Sequence, residues 1–167
     1  IQTGRRELAA VVWNDRIYIV GGRNSAGSVL ASVESAPIFA NGSLGSWRSE
    51  SSGTAMLAPD AIVWNGRFYR IGGFSGSASA TVESAPILAN GSVGTWVSET
   101  SMTSARHYLF AVPWNGRIYA VGGHNGAAAI ATVESAPILA NGSLGAWSSA
   151  DNAMGTARHK HAGVVWN

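Results

Sequence analysis

Short apolar runs, each closed by a Trp-Asn pair, punctuate the chain: Ala9 to Trp13, Ala61 to Trp64, Leu109 to Trp114 and Ala162 to Trp166. Ala9-Ala10-Val11-Val12-Trp13 is apolar at successive positions, the pattern of a strand buried between neighbouring sheets. In the first three cases a two-residue turn follows, Asn14-Asp15, Asn65-Gly66 or Asn115-Gly116. Such pairs favour a type I′ hairpin, which needs positive φ at both central residues. The returning strand carries Tyr18, Tyr69 or Tyr119 and stops at a Gly-Gly doublet. After a polar loop comes a third run, then a second turn at Asn41-Gly42, Asn90-Gly91 or Asn141-Gly142, then a fourth segment around Trp47, Trp96 or Trp147. No stretch shows helical periodicity over a useful length. Each unit therefore predicts an antiparallel meander of four strands, a to d. In the third unit these are Leu109 to Trp114, Arg117 to Val121, Ile130 to Ile138, and the strand around Trp147.

The unit repeats at about 50 residues, a period of stacked or radial arrays. Thr81–Ser92 and Thr132–Ser143 read the same twelve residues, TVESAPILANGS, and Ser32–Ser43 reads SVESAPIFANGS. A lone four-stranded sheet has two faces to cover, so the units must stack on one another. Radial stacking makes an all-β propeller. The blades fall at approximately 1–51, 52–101 and 102–153 of a single domain spanning 1–167. Ile1–Asn14 aligns without a gap on Met154–Asn167, so an extra innermost strand is expected in 154–167.

The doublets Gly21-Gly22, Gly72-Gly73 and Gly122-Gly123, followed by Glu34, Glu83 and Glu134 and then by Trp47, Trp96 and Trp147, resemble the kelch repeat. The resemblance recurs three times in phase over the whole chain. It implies one four-stranded blade per repeat, usually six or seven blades per ring, and Trp47, Trp96 and Trp147 packed between blades. The Trp of the Trp-Asn-Gly turn departs from the usual pattern. A sialidase Asp-box reading fails, because Gly45 stands two residues before Trp47 and the Asp is missing. A galactose-oxidase copper site needs a Cys, and there is none.

Charge narrows the partners. Only 12% of residues are charged, the formal net charge is +2, and Lys160 is the one lysine, so no electrostatic footprint for nucleic acid is present. No apolar run approaches the length of a spanning helix. With no Cys there is no disulfide framework. The Asn-Gly-Ser-rich surface fits an extracellular or cell-surface protein better than a cytosolic one. The chain starts at Ile1 with no visible signal peptide, as a processed chain or a segment would. Further blades of a longer chain, or a second copy, would complete the ring.

Strand alternation puts the a–b and c–d turns on one face and the b–c and d–a loops on the other. The first face is built from near-identical turns, whereas the second holds nearly all variation between units. Loops on a rigid scaffold are where binding residues concentrate. The candidate ligand residues there are Arg5, Arg23, Asn24, Phe74, Arg106, His107, His124, Asn125, Arg158 and His159. Arg5, Arg106 and Arg158 recur before strand a, where unit two has Met56. Guanidinium suits acidic groups, and recurrence equally suits a structural bond to the neighbouring blade's backbone. Glu34, Glu83 and Glu134 recur mid-strand and fit a scaffold role. Arg70 stands where Ile19 and Ala120 stand, and a rim position with the side chain reaching water would accommodate it. His159 and His161 are two apart, on one face of a strand, but no third metal ligand accompanies them. No cofactor is implied.

The leading expectation is a non-catalytic binding module for a protein or glycan on the variable face. The alternative is a carbohydrate-active enzyme with its site at the ring centre, where Asp60 is the acidic residue unique to its unit. A third reading is an engineered or recently amplified repeat that self-assembles without a selected ligand.

Overall fold

The computed structural model describes residues 1–149 and 151–165. Blade one contains β1 (Ala9–Trp13), β2 (Arg16–Val20), β3 (Val33–Pro37) and β4 (Arg48–Glu50), in that spatial order. Blade two repeats the order with β5 (Asp60–Trp64), β6 (Arg67–Ile71), β7 (Val82–Pro86) and β8 (Val97–Ser98). Blade three has β9 (Phe110–Trp114), β10 (Arg117–Val121) and β11 (Val133–Pro137). There the fourth strand shrinks to one bridge, Ser135 to Ser148, with two backbone bonds of 2.9 Å. All strand pairs are antiparallel, and the a–b turns take positive φ at both residues, 44° and 53° at Asn14 and Asp15. This is the expected meander.

The fourth strand begins one residue after the Trp, not around it. Trp96 and Trp147 point at the preceding blade and donate Nε1–H to Ser51 O and Thr100 O, both at 2.9 Å. Each indole thus ties its blade to the one before, and backbone pairing with the third strand starts at the following residues.

Innermost strands β1, β5 and β9 lie side by side around the axis. One apolar core fills the joint of blades one and two, with Val20, Val33, Phe68 and Val93. A second fills the joint of blades two and three, with Ile71, Val82, Ile118, Leu144 and Trp147. Polar bonds repeat at each joint. Tyr18 donates to Gly91 O at 2.9 Å and Tyr69 to Gly142 O at 2.7 Å. Val93 N–H donates to Glu50 at 3.0 Å and Leu144 N–H to Glu99 at 2.9 Å.

Residues 154–160 cross the top of blade three as the equivalent segments cross the earlier blades, with Met154 N–H to Ala131 O at 2.9 Å and Lys160 N–H to Tyr108 O at 3.0 Å. From 161 to 165 the chain passes Phe110 and Val112 without a ladder. The expected extra innermost strand is thus absent as a strand among the described residues. Its pairing partner would be a further strand b, and none lies beside it there. The Trp166-Asn167 pair that closes the expected strand, like Ala150, falls outside those residues.

Candidate functional site

The variable loops are assembled by one backbone device. At the same repeat position Glu7, Ala58, Tyr108 and Lys160 have φ of 57°, 50°, 52° and 55°. Left-handed backbone at non-glycine residues is uncommon and persists where the surroundings impose it. Here the cause is visible. Ala58 N–H donates to Glu7 O at 2.7 Å, Tyr108 N–H to Ala58 O at 3.0 Å, and Lys160 N–H to Tyr108 O at 3.0 Å. These bonds run from blade to blade and form an inner belt at the mouth of the axis. Outside the belt, loop pairs Arg6–Arg23, Leu57–Phe74 and His107–His124 form single antiparallel bridges.

Beneath the belt lie the recurrent charges. The Arg5 guanidinium is fully buried, bonds Gly21 O at 3.1 Å and Ser32 O at 3.0 Å, and pairs with Glu34. Arg106 does the same with Gly122 O at 2.9 Å, Thr132 O at 3.0 Å and Glu134. The carboxylates in turn accept N–H groups of the incoming loop: Gln2 at 2.6 Å for Glu34, Thr103 at 2.7 Å for Glu134. Burial pushes the Glu134 carboxyl up, but the Thr103 hydrogen bonds and the Arg106 charge outweigh it and hold it below the usual range. Arg5 and Arg106 therefore hold the loops from below and do not reach the face. Their acceptors belong to their own blade, while the Arg106 carbonyl accepts Gly73 N–H of the preceding one at 2.9 Å.

Blade two makes the same pair by another route. Met56 occupies the Arg position and is buried. Arg70, on strand β6 and directly opposite Glu83 across the ladder, pairs with Glu83 and donates to Thr54 O. The rim reading of Arg70 is corrected: the residue is 1% exposed and sits where its blade lacks the other arginine. Gly53 makes the room. A Cβ there would lie 2.6 Å from Glu83 Oε2 and 3.4 Å from Arg70 Nη1.

What the face presents is consequently narrower than the candidate set. Arg6, Arg158, His159 and Lys160 are exposed, and Arg23 and His124 are half-buried. Asn24 and Asn125 shape their loops, accepting Ser28 N–H and the Ala127 and Ala128 N–H groups at 2.9 Å. His107 is buried, and its ring meets Phe74 at 5.1 Å, Tyr108 at 5.0 Å and His124 at 5.2 Å between centroids. His159 meets His124 edge-on at 5.3 Å between centroids, while His161 turns to Phe110 at 6.4 Å. The two histidines thus part company. Burial first, then the neighbouring His124 charge, lowers the His107 pKa. Among the described residues no three ligating side chains converge on a metal position. Around the rim the chemistry grades from guanidinium (Arg6, Arg23) through apolar (Leu57, Phe74) to imidazole (His107, His124, His159).

Inside the belt a cleft of about 390 Å³ follows the axis, lined in part by Glu7, Asp60, Tyr108, Lys160 and His161. Sequence reading singled out Asp60 there and passed over Glu7, Tyr108 and Lys160. The Tyr108 hydroxyl donates to Glu7 Oε1 at 2.7 Å, past the small side chain of Ala58. Arg23 Nη2 donates to the same oxygen at 3.0 Å, and Arg23 Nε lies 2.8 Å from Oε2, off the line of a hydrogen bond. Lys160 Nζ sits 4.6 Å above the Tyr108 ring, a cation–π contact. Burial pushes the Glu7 carboxyl up, yet the Tyr108 and Arg23 bonds prevail and keep it below the usual range. Tyr108 is pushed up to about 12, by burial and then by Glu7.

Asp60 behaves oppositely. It accepts Ala61 N–H at 2.8 Å and Ala111 N–H of the next blade at 2.5 Å, with burial dominating, and its pKa rises from 3.8 to about 6. A raised carboxyl favours the protonated fold. Its contribution should be full below about pH 4 and fade as pH climbs to 6, by about 3 kcal/mol. Glu7 and Glu134, held low, act the other way and lose their contribution only as pH falls below the carboxylate range. Urea unfolding at intervals from pH 4 to 7, with a carboxyl NMR titration of Asp60, checks this. A midpoint near 4 for Asp60 would overturn it.

Comparison with known proteins agrees with this architecture. Residues 4–35 match the family described as Kelch motif. A solved structure described as "Structure of YjhT" superposes with a TM-score of 0.70 at 18% identity, over 87% of this chain and 46% of that one. The chain thus spans about half the length of that neighbour, and the likeness concerns the fold. No curated protein matches the sequence.

Proposed function

We propose that this chain of kelch repeats is a non-catalytic binding module, and that its ligand is a protein segment or glycan bearing acidic groups. The supporting observation is the belt. Four left-handed residues joined by backbone bonds hold a cationic and imidazole rim in place before any ligand arrives. Preorganised loops lose little entropy on binding. Arg6, Arg158 and Lys160 are exposed on that rim, and guanidinium groups match carboxylates in two-point geometry. The buried Arg5 and Arg106 stay outside the reading.

A glycan array with and without carboxylate-bearing sugars, run beside a panel of acidic and neutralised peptides, tests it. Acid-bearing ligands should bind, and the Arg6→Ala replacement should weaken them by about tenfold, about 1.4 kcal/mol. Binding should also weaken with salt. Equal retention of neutral and acidic ligands would sink the proposal.

One observation favours a second reading, a carbohydrate-active site at the ring centre. Glu7 is held ionised and Asp60 is held near 6 along the same cleft. Two carboxyls pushed apart in pKa are the usual acid and base assignment. Asp60 is also explained as a clamp on Ala111, which is why binding comes first. Turnover of glycosides by the chain, abolished by Asp60→Asn, would reverse that order.

A further inference from the structure

Positions that are core inside the stack are uncovered at its two edges, and the uncovered groups match. Val33 and Val82 are at most 1% exposed, but their counterpart Val133 on blade three is half-buried. Tyr18 and Tyr69 are as deeply buried and each donates to a glycine carbonyl of the next blade. Tyr119, their counterpart, is half-buried and has no partner among the described residues. Asp151, four residues after Trp147 where Glu50 and Glu99 come three after theirs, takes over their serine contact. Its Oδ2 accepts the Ser135 hydroxyl at 2.6 Å, as those glutamates accept Ser35 and Ser84, and its other oxygen takes no N–H among the described residues where theirs take a neighbour's.

Blade one shows the complementary set. Leu44 is 49% exposed, against 5% for Val93 and 4% for Leu144 at the same repeat position. Val93 and Leu144 give their N–H groups to the preceding blade's glutamate, and Leu44 N–H has no such acceptor among the described residues. Among the described residues Trp47 Nε1 has no carbonyl such as Trp96 and Trp147 each find. Ile17 is half-buried where Phe68 and Ile118 are sealed.

We propose that these two edges are halves of one further blade-to-blade joint, and that a second copy of the chain closes it head to tail. Two identical joints then make a six-bladed ring about a twofold axis. Tyr119 meets Gly42 O, the other Asp151 oxygen meets Leu44 N–H, and Trp47 meets Asn152 O, each across the copies. The occupant is set by continuity: the joints already inside the chain are made of the same groups at the same repeat positions. One segment competes for the seat. Residues 154–160 hold it through Met154 N, Arg158 N, Arg158 O and Lys160 N. Ile1, Arg5 and Glu7 carry the same backbone groups at matching positions, so exchange keeps the hydrogen bonds level. The incoming β1 brings its own ladder to β2, whereas 161–165 has none. Indole, phenol and apolar burial then favour the second copy, whose Arg6 and Glu7 take the rim and belt positions of His159 and Lys160, so that in the dimer Arg6 is the cation that meets an acidic ligand.

Sedimentation equilibrium of the 167-residue chain over a wide concentration range tests this. The expected limit is twice 17.2 kDa, with no higher species. Joint Tyr119→Phe and Trp47→Phe replacement should weaken the dimer by at least about tenfold, with circular dichroism unchanged. Lys160→Pro, which forbids a φ of 55° and removes the N–H that seats the competing segment, should tighten it. A chain that stays at 17.2 kDa, a mass that climbs without limit, or a dimer indifferent to all three replacements would each overturn the proposal.

Discussion

Replacing Arg70 with Ile should cost about 3 to 5 kcal/mol, the usual consequence of stripping one partner from a buried ion pair. Ile is what blade one has at this position, and there it is harmless because Arg5 approaches Glu34 from the loop. In blade two the loop position is Met56, so Arg70→Ile leaves Glu83 facing only the N–H and hydroxyl of Thr54. The pair should be recoverable from the other side. Blade two keeps the acceptors that Arg5 and Arg106 use elsewhere, Glu83 and the carbonyls at Gly72 and Thr81. Adding Met56→Arg to Arg70→Ile should therefore return most of the loss, whereas Met56→Arg alone puts two guanidinium groups against one carboxylate and destabilises. Urea midpoints of the four proteins form a double-mutant cycle. If the double replacement is no better than Arg70→Ile alone, the two arginine positions are not exchangeable and the account fails.

Gly72→Ala should cost about 3 kcal/mol or more, and the comparison with Gly76→Ala says why. Both glycines have positive φ, 61° and 84°. At Gly76 a Cβ meets nothing within 4 Å, so only backbone strain is added, about 1 to 2 kcal/mol. At Gly72 the Cβ would lie 2.4 Å from the carbonyl oxygen of Arg106. That oxygen is the acceptor of Gly73 N–H, and the Arg106 side chain continues into the Glu134 pair. Displacing it strikes a hydrogen bond and a buried charge together. Equal thermal shifts for the two variants would show that strain, not the approach of the blades, sets the glycine requirement.

Much of the architecture could be read from the chain because its signals are local and repeated. Asn65-Gly66 marks a hairpin wherever it stands, and three copies in phase show the spacing of the ladders. Strand b was legible to the residue, Arg117 to Val121, since the turn and the Gly-Gly doublet bracket it. Strand d was misplaced because Trp147 reads as a strand residue and its hydrogen bond to Thr100 spans blades. The site was less legible for the same reason. Arg106 and Arg158 look alike in sequence, yet one is sealed against Glu134 and the other is exposed, a difference made by the strand opposite. Arg70 was visible as a break in the pattern, and Met56 as another, but nothing in the chain order says that one answers the other. Glu7 and Tyr108 lie 101 residues apart. Their pairing requires the ring to curve, and no local pattern encodes that.

The belt has an implication for how such a chain changes over time. Its hydrogen bonds are made by main-chain N–H and carbonyl groups alone, so any side chain that tolerates the left-handed backbone and keeps its N–H can stand at those positions. Glu, Ala, Tyr and Lys occur there in turn, the first three in the three units and Lys160 in the segment that follows, while the three twelve-residue blocks barely vary. The fold has separated its grammar from its vocabulary. Duplication can copy a unit whole, and a single codon at the belt then rewrites what the mouth of the axis displays while the main-chain bonds of the belt stay as they are.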